Sequence, residues 1–198
     1  MKKLLLSLVF CFVVLFALNA QEAEEGKKLA TFWGVPWRTS VNDVKELLKN
    51  KNCKLLEEGN TKDGCYGLVC DGTFGGEMAE IYFFFYKDRL FSGKIYYPYR
   101  QGEAVSSYME VKRLLEKKYG NATYVEEAKL STYGEDSISG ELLIKNEGLK
   151  FASKWEFSDD NYIIINITDK LGTRVIYTNN ALRAKAIKEM EELKLNDF

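Results

Sequence analysis

The chain has 198 residues, 28 basic and 29 acidic, and no histidine. The near-balanced charge excludes the basic stripe that supplies nucleic-acid affinity. Without histidine there can be no Ser-His-Asp or Cys-His arrangement and no histidine-containing zinc site.

Lys2 and Lys3 precede an apolar run, Leu4–Leu18, and the chain turns polar after Asn19-Ala20. This is the three-part pattern of a secretory signal peptide, residues 1–20, with cleavage expected near Ala20. The run, about 15 residues, is shorter than the roughly 20 that span a bilayer. Cys11 lies inside the run and not at its end, which does not suit lipidation. The expected location is therefore the periplasm or the exterior, with no membrane span after cleavage. Loss of Lys2 and Lys3 leaves 26 basic and 29 acidic residues, a net charge of −3.

Residues 21–31 begin acidic and unpatterned and are expected to be flexible. A single domain, 32–198, follows. It opens on Phe32-Trp33-Gly34-Val35-Pro36-Trp37. Pro36 restricts Val35 to an extended conformation and Gly34 permits a turn. Trp33 and Trp37 either cap the core or form a contact site. Ser40 with Asp43 reads as a short form of the capping box. Val41, Val44, Leu47 and Leu48 give the first helix one apolar face, with its end near Asn52.

Four strands are expected next: Cys53–Glu58, Cys65–Asp71, Glu77–Tyr86 and Leu90–Tyr97. The turns between them, 59–64, 72–76 and 87–89, are Gly-rich or polar, the pattern of an antiparallel meander. If the first two strands pair around 59–64, Cys53 stands opposite Cys70. These two are the expected disulfide, if one forms, in an oxidising compartment. Cys65 is left over, either as a small buried residue or as a reactive thiol.

A second helix, Gly102–Lys118, carries Val105, Tyr108, Val111, Leu114 and Leu115 on one face and stops at Gly120. Five more strands are expected: Thr123–Leu130, Ser139–Lys145, Leu149–Phe157, Tyr162–Thr168 and Thr173–Tyr177. A last helix, 180–194, places Leu182, Ala186, Ile187, Met190 and Leu193 at packing spacing. The fold class is α+β, an antiparallel sheet of about eight or nine strands with helices packed on it. Val44–Lys51 and Val111–Lys118 match at five of eight positions, each ahead of a meander. The pattern is that of two helix-plus-meander repeats, 32–99 and 102–178, with chance similarity of short amphipathic helices as the alternative.

No catalytic residue is expected. Glu57-Glu58, Glu126-Glu127, Glu135-Asp136 and Asp159-Asp160 are adjacent pairs, and neighbours on a strand face opposite sides. No metal is expected either. Three mature cysteines are too few for a thiolate zinc site, and Asp159-Asp160-Asn161 lacks the spaced ligands of a calcium loop. No cofactor is implied, since Gly72–Gly76 has no following Lys-Ser/Thr and no helix, so it is not a phosphate loop.

The most suggestive cluster is Tyr96, Tyr97, Tyr99 and Arg100, residue types enriched at binding hot spots. Alternation in the hairpin around 87–89 puts Ile81, Phe83 and Phe85 towards one layer and Tyr82, Phe84 and Tyr86 towards another. One layer of helices covers only one of these faces.

Phe32–Ser40 with Val44–Leu48, the turn Lys87–Gly93 and Leu114–Gly120 resemble a loose group of exported bacterial domains. In these an aromatic-Gly-x-Pro segment leads into a capped helix and a meander. The duplicated pattern is similar to the beta-lactamase inhibitor protein fold and to small outer-membrane-assembly lipoproteins, although the lipidation cysteine of the latter is missing. The resemblance implies a fold and an envelope location. The expected function is a non-catalytic binding or assembly module of the bacterial envelope that recognises a protein partner through a tyrosine-rich sheet face. The alternatives are a small apolar-ligand-binding protein and an enzyme using carboxylates or Cys65.

Overall fold

The computed structural model describes residues 27–51, 53–62, 64–128 and 138–196. The expected signal peptide (residues 1–20), residues 21–26 of the expected flexible segment and Glu135-Asp136 lie outside these. Within the described part of 21–31, Lys27, Lys28 and Ala30 are exposed and Leu29 is anchored. Leu29 is 2% exposed, and its carbonyl accepts from the Asn161 side-chain amide at 3.1 Å.

A two-residue hairpin comes first, β1 (Thr31–Phe32) and β2 (Val35–Pro36), with Trp33 and Gly34 at positive φ in its turn. Helix α1 (Val41–Asn50) follows. Ser40 caps it: its hydroxyl accepts from the Asp43 N–H at 3.2 Å and lies 2.7 Å from the Asp43 carboxylate. The first meander is β3 (Lys54–Asn60), β4 (Tyr66–Phe74), β5 (Glu77–Tyr86) and β6 (Arg89–Tyr97). Helix α2 (Ala104–Tyr119) leads to β7 (Tyr124–Glu127), helix α3 (Ile138–Glu147), β8 (Phe151–Glu156), β9 (Tyr162–Ile167) and β10 (Thr173–Thr178). Helix α4 (Asn180–Asn196) closes the described chain.

The eight long strands form one antiparallel sheet in the order β3-β4-β5-β6-β10-β9-β8-β7. The first half is a helix followed by a four-strand meander; in the second, α3 lies between β7 and the meander β8-β9-β10, and the two halves join through their last strands, β6 and β10. Ile95 stands opposite Val175 at the seam.

One expected strand is a helix. Ser139–Lys145 lies within α3. Its sequence has no period-2 alternation, and Glu, Leu and Lys favour helix. The buried pair Glu141 and Ile144 sits at the helical spacing of three. The turns are also tighter than expected. β4 runs on to Phe74, so only Gly75 and Gly76 turn, both at positive φ. Lys87 and Asp88 alone turn the next hairpin, at φ 47° and 60°. Two-residue loops with positive φ at both positions match the twist of a hairpin.

The core lies on one face of the sheet. Ile81, Phe83 and Phe85 of β5, Ile95 of β6, Val175 and Tyr177 of β10 and Ile163 and Ile165 of β9 are all buried there. Above them lie Val44 and Leu48 of α1 and Val105, Tyr108, Val111 and Leu115 of α2. The tryptophan segment joins this same layer. Phe32 sits edge-on to Phe83 at 5.2 Å and against Tyr177 at 5.3 Å. Gly93 makes room for it, since a Cβ there would stand 2.2 Å from the Phe32 ring.

Candidate binding surfaces

The second face of the sheet carries Tyr82, Phe84 and Tyr86 of β5, Lys94 and Tyr96 of β6, Arg174 and Ile176 of β10, and Ile164 and Asn166 of β9. All are half-buried, alternating with the fully buried core residues. Helix α4 crosses one end of this face. Tyr86 donates to Glu189 at 3.0 Å, and the Cys65 sulfur lies 4.0 Å from that of Met190. Leu182 and Phe91 share the seam beneath the helix. The side chain of Leu193 is outside the described residues.

Away from α4 the register sets Tyr82 opposite Lys94, Lys94 opposite Ile176, and Ile176 opposite Ile164. In the next row Glu80 faces Tyr96, Tyr96 faces Arg174, and Arg174 faces Asn166. The Lys94 ammonium sits 3.3 Å from the centroid of the Tyr82 ring. The Arg174 Nε donates to Asn166 Oδ1 at 3.0 Å. Tyr82 donates to Glu80, and burial holds its hydroxyl protonated well above the ordinary range, with Glu80 adding to the shift. Among the described residues neither Lys94 nor Arg174 has a carboxylate within ion-pair distance. Burial, and after it the neighbouring Arg174 charge, push the Lys94 ammonium below its ordinary pKa.

A cleft of about 240 Å³ lies on the other face, between α2 and the end of the sheet. Tyr97, Tyr99 and Arg100 line it together with Phe74, Val111 and Leu114. Tyr97 is 6% exposed and its hydroxyl donates to the Phe74 carbonyl at 3.0 Å. Tyr99, 39% exposed, donates to Glu141 of α3 at 2.6 Å. Arg100 reaches Glu77 at 3.4 Å and Glu103 at 3.8 Å.

The six candidate residues thus fall in three places. Tyr97, Tyr99 and Arg100 surround the cleft, and Tyr96 lies on the second face. Trp33 and Trp37 are half-buried in the helix-bearing layer, Trp33 with the Lys51 ammonium 4.1 Å from its ring centroid. Lys94 and Arg174 were missed by sequence reading. Each alternates with buried neighbours in its strand, but their meeting depends on the pairing of β6 with β10, 80 residues apart along the chain.

The described cysteines are free thiols. Leu55, not Cys53, stands opposite Cys70, because the β3–β4 register is shifted by two residues from the expected one. The shift keeps Cys53 on the same side as Cys70, and the two thiols lie within interacting reach. Burial, followed by the influence of Cys53 and Asp71, pushes the Cys70 thiol up to about 12. Cys65 is buried beneath α4.

Among the described residues no group of three or more Cys, Asp or Glu side chains could hold a metal ion. No helix there is long and apolar enough to cross a membrane. No protein-family model, curated protein or solved structure matches this chain.

Proposed function

We propose that the chain is a non-catalytic exported binding or assembly module of the bacterial cell envelope, which recognises a protein partner through the tyrosine-rich second face of its sheet. One observation carries this reading. Lys94 and Arg174 sit diagonally across the β6–β10 seam in the middle of that face, half-buried among Tyr82, Tyr96, Ile164 and Ile176, with no carboxylate within ion-pair distance among the described residues and Glu80 acting on Lys94 only from further off. Two adjacent like charges on an apolar surface disfavour each other. A partner carboxylate placed between them relieves that repulsion while tyrosine rings and aliphatic side chains bury apolar area around it. Tyr and Arg at the centre of a contact surface are the residue types that carry most binding energy.

The partner is therefore an acidic protein surface. Affinity capture from envelope fractions tests this with three proteins: wild type, Arg174→Glu, and Tyr124→Ala on the distant edge strand β7. Wild type and Tyr124→Ala should retain the same acidic partner, and Arg174→Glu should lose it. Equal retention by all three contradicts the reading.

A further inference from the structure

We propose that the cleft between α2 and the end of the sheet is a separate binding site for a small organic cation, an ammonium group on an apolar body of roughly eight heavy atoms. The size follows from the volume of about 240 Å³, below the usual range for drug-sized ligands. The apolar body is set by the floor, where Tyr97, Val111 and Leu114 offer carbon surface. The charge is set by the mouth. Glu77, Glu103 and Glu110 line it, against Arg100 as the one cation among the described lining residues, which Glu77 and Glu103 already hold at 3.4 and 3.8 Å. Glu110 has no cation within ion-pair distance among the described residues, so it is left to meet the ligand. A concave site lined by one sign of charge over low-dielectric walls focuses its field and concentrates counter-ions. The Tyr97 hydroxyl senses that field: after burial, Glu77 and Glu110 are the groups that hold it protonated. A hard metal ion is a poor occupant, because it requires six or more oxygen ligands and the floor supplies carbon.

The site lies on the opposite face from Lys94 and Arg174, so it stands or falls independently of the partner surface. The test is an NMR titration with three probes on the same eight-carbon frame: 2-phenylethylammonium, 2-phenylethanol and phenylacetate. The ammonium should bind at least about tenfold more tightly than the alcohol, the worth of one favourable charge contact, and the carboxylate most weakly. Shifts should centre on the amides of Val111 and Leu114. Glu110→Gln should remove most of the preference for the ammonium while leaving the alcohol's affinity unchanged. Leu114→Trp should block the ammonium and the alcohol, and Arg174→Glu should change nothing. The proposal is overturned if the alcohol or carboxylate binds as tightly as the ammonium, if no probe gives saturable shifts, or if folded Glu110→Gln keeps the full preference.

Discussion

Gly93 sits in the middle of β6, where a glycine weakens a strand. Its role becomes clear only with Phe32, 61 residues earlier, whose ring occupies the space a side chain would need. Gly93→Ala must displace that ring or the strand and should cost about 1–3 kcal/mol, the usual range for overpacking a close-packed core. Chemical denaturation of the variant measures it directly, and a loss below the resolution of the method would mean that Phe32 moves freely. Cys53 and Cys70 differ in a way that can also be measured. Cys70, 0% exposed with its thiol pushed up to about 12, holds almost no thiolate at neutral pH, and the thiolate is the nucleophile. Alkylation of the native protein should therefore label Cys53 well before Cys70, with Cys70 reacting only on unfolding. Mass spectrometry of the labelled peptides reports the order.

At the scale of elements, two helices are capped from elsewhere in the fold. The hairpin turn of β5 and β6 places the Asp88 carboxylate 2.8 Å from the Val41 N–H, the first residue of α1. Asp88 also has φ 60°, a conformation that Asn tolerates and Ala does not. Asp88→Ala should thus cost about 1–2 kcal/mol through lost cap and strain, and Asp88→Asn clearly less. A pair of thermal unfolding curves separates them. At α2, Glu103 makes no capping bond, and Glu141 of α3 accepts from the Ala104 N–H at 3.1 Å instead. Local caps such as Ser40 were legible in the sequence because donor and acceptor lie within one turn. Caps supplied across 37 or 47 residues carry no local signal. The same limit explains α3. A short apolar run between turn-like residues reads equally as a strand or a buried helix, and only its docking through Glu141 and Ile144 decides. The long amphipathic helices and the alternating hairpin arms were legible because each carries its own period.

At the scale of the whole molecule, α1, α2 and the tryptophan segment pack on one face of the sheet, and several tyrosines are buried in that layer. Tyr97, Tyr108 and Tyr177 are each held protonated above their ordinary value of 10, with burial the largest cause. Unfolding releases phenols that ionise near pH 10, whereas the folded forms do not. Their contribution to stability is therefore complete below pH 10 and is lost as pH rises towards the folded values. The melting temperature should be flat through pH 8, begin to fall near pH 9 as the Cys70 thiol of the unfolded chain ionises, and fall steeply by pH 11 as the phenols follow, and a flat profile to pH 11 would contradict the buried layer. The alternation in β5 and β6 already posed the question of what covers the second face. It could not say that α4 meets this face at the end near Tyr86 and Cys65, nor that the β6–β10 seam sets Lys94 diagonally to Arg174, because strand order is a long-range property.

Site-specific photo-crosslinking tests most directly whether a protein partner sits on this half-buried face, away from the end that α4 meets. A photoreactive phenylalanine analogue at Tyr96 should give a covalent adduct with an acidic envelope protein. The same probe at exposed Tyr124 should give none, and the Tyr96 adduct should disappear with Arg174→Glu. Adducts of equal yield at Tyr124, or an adduct at Tyr96 that survives Arg174→Glu, would contradict the account.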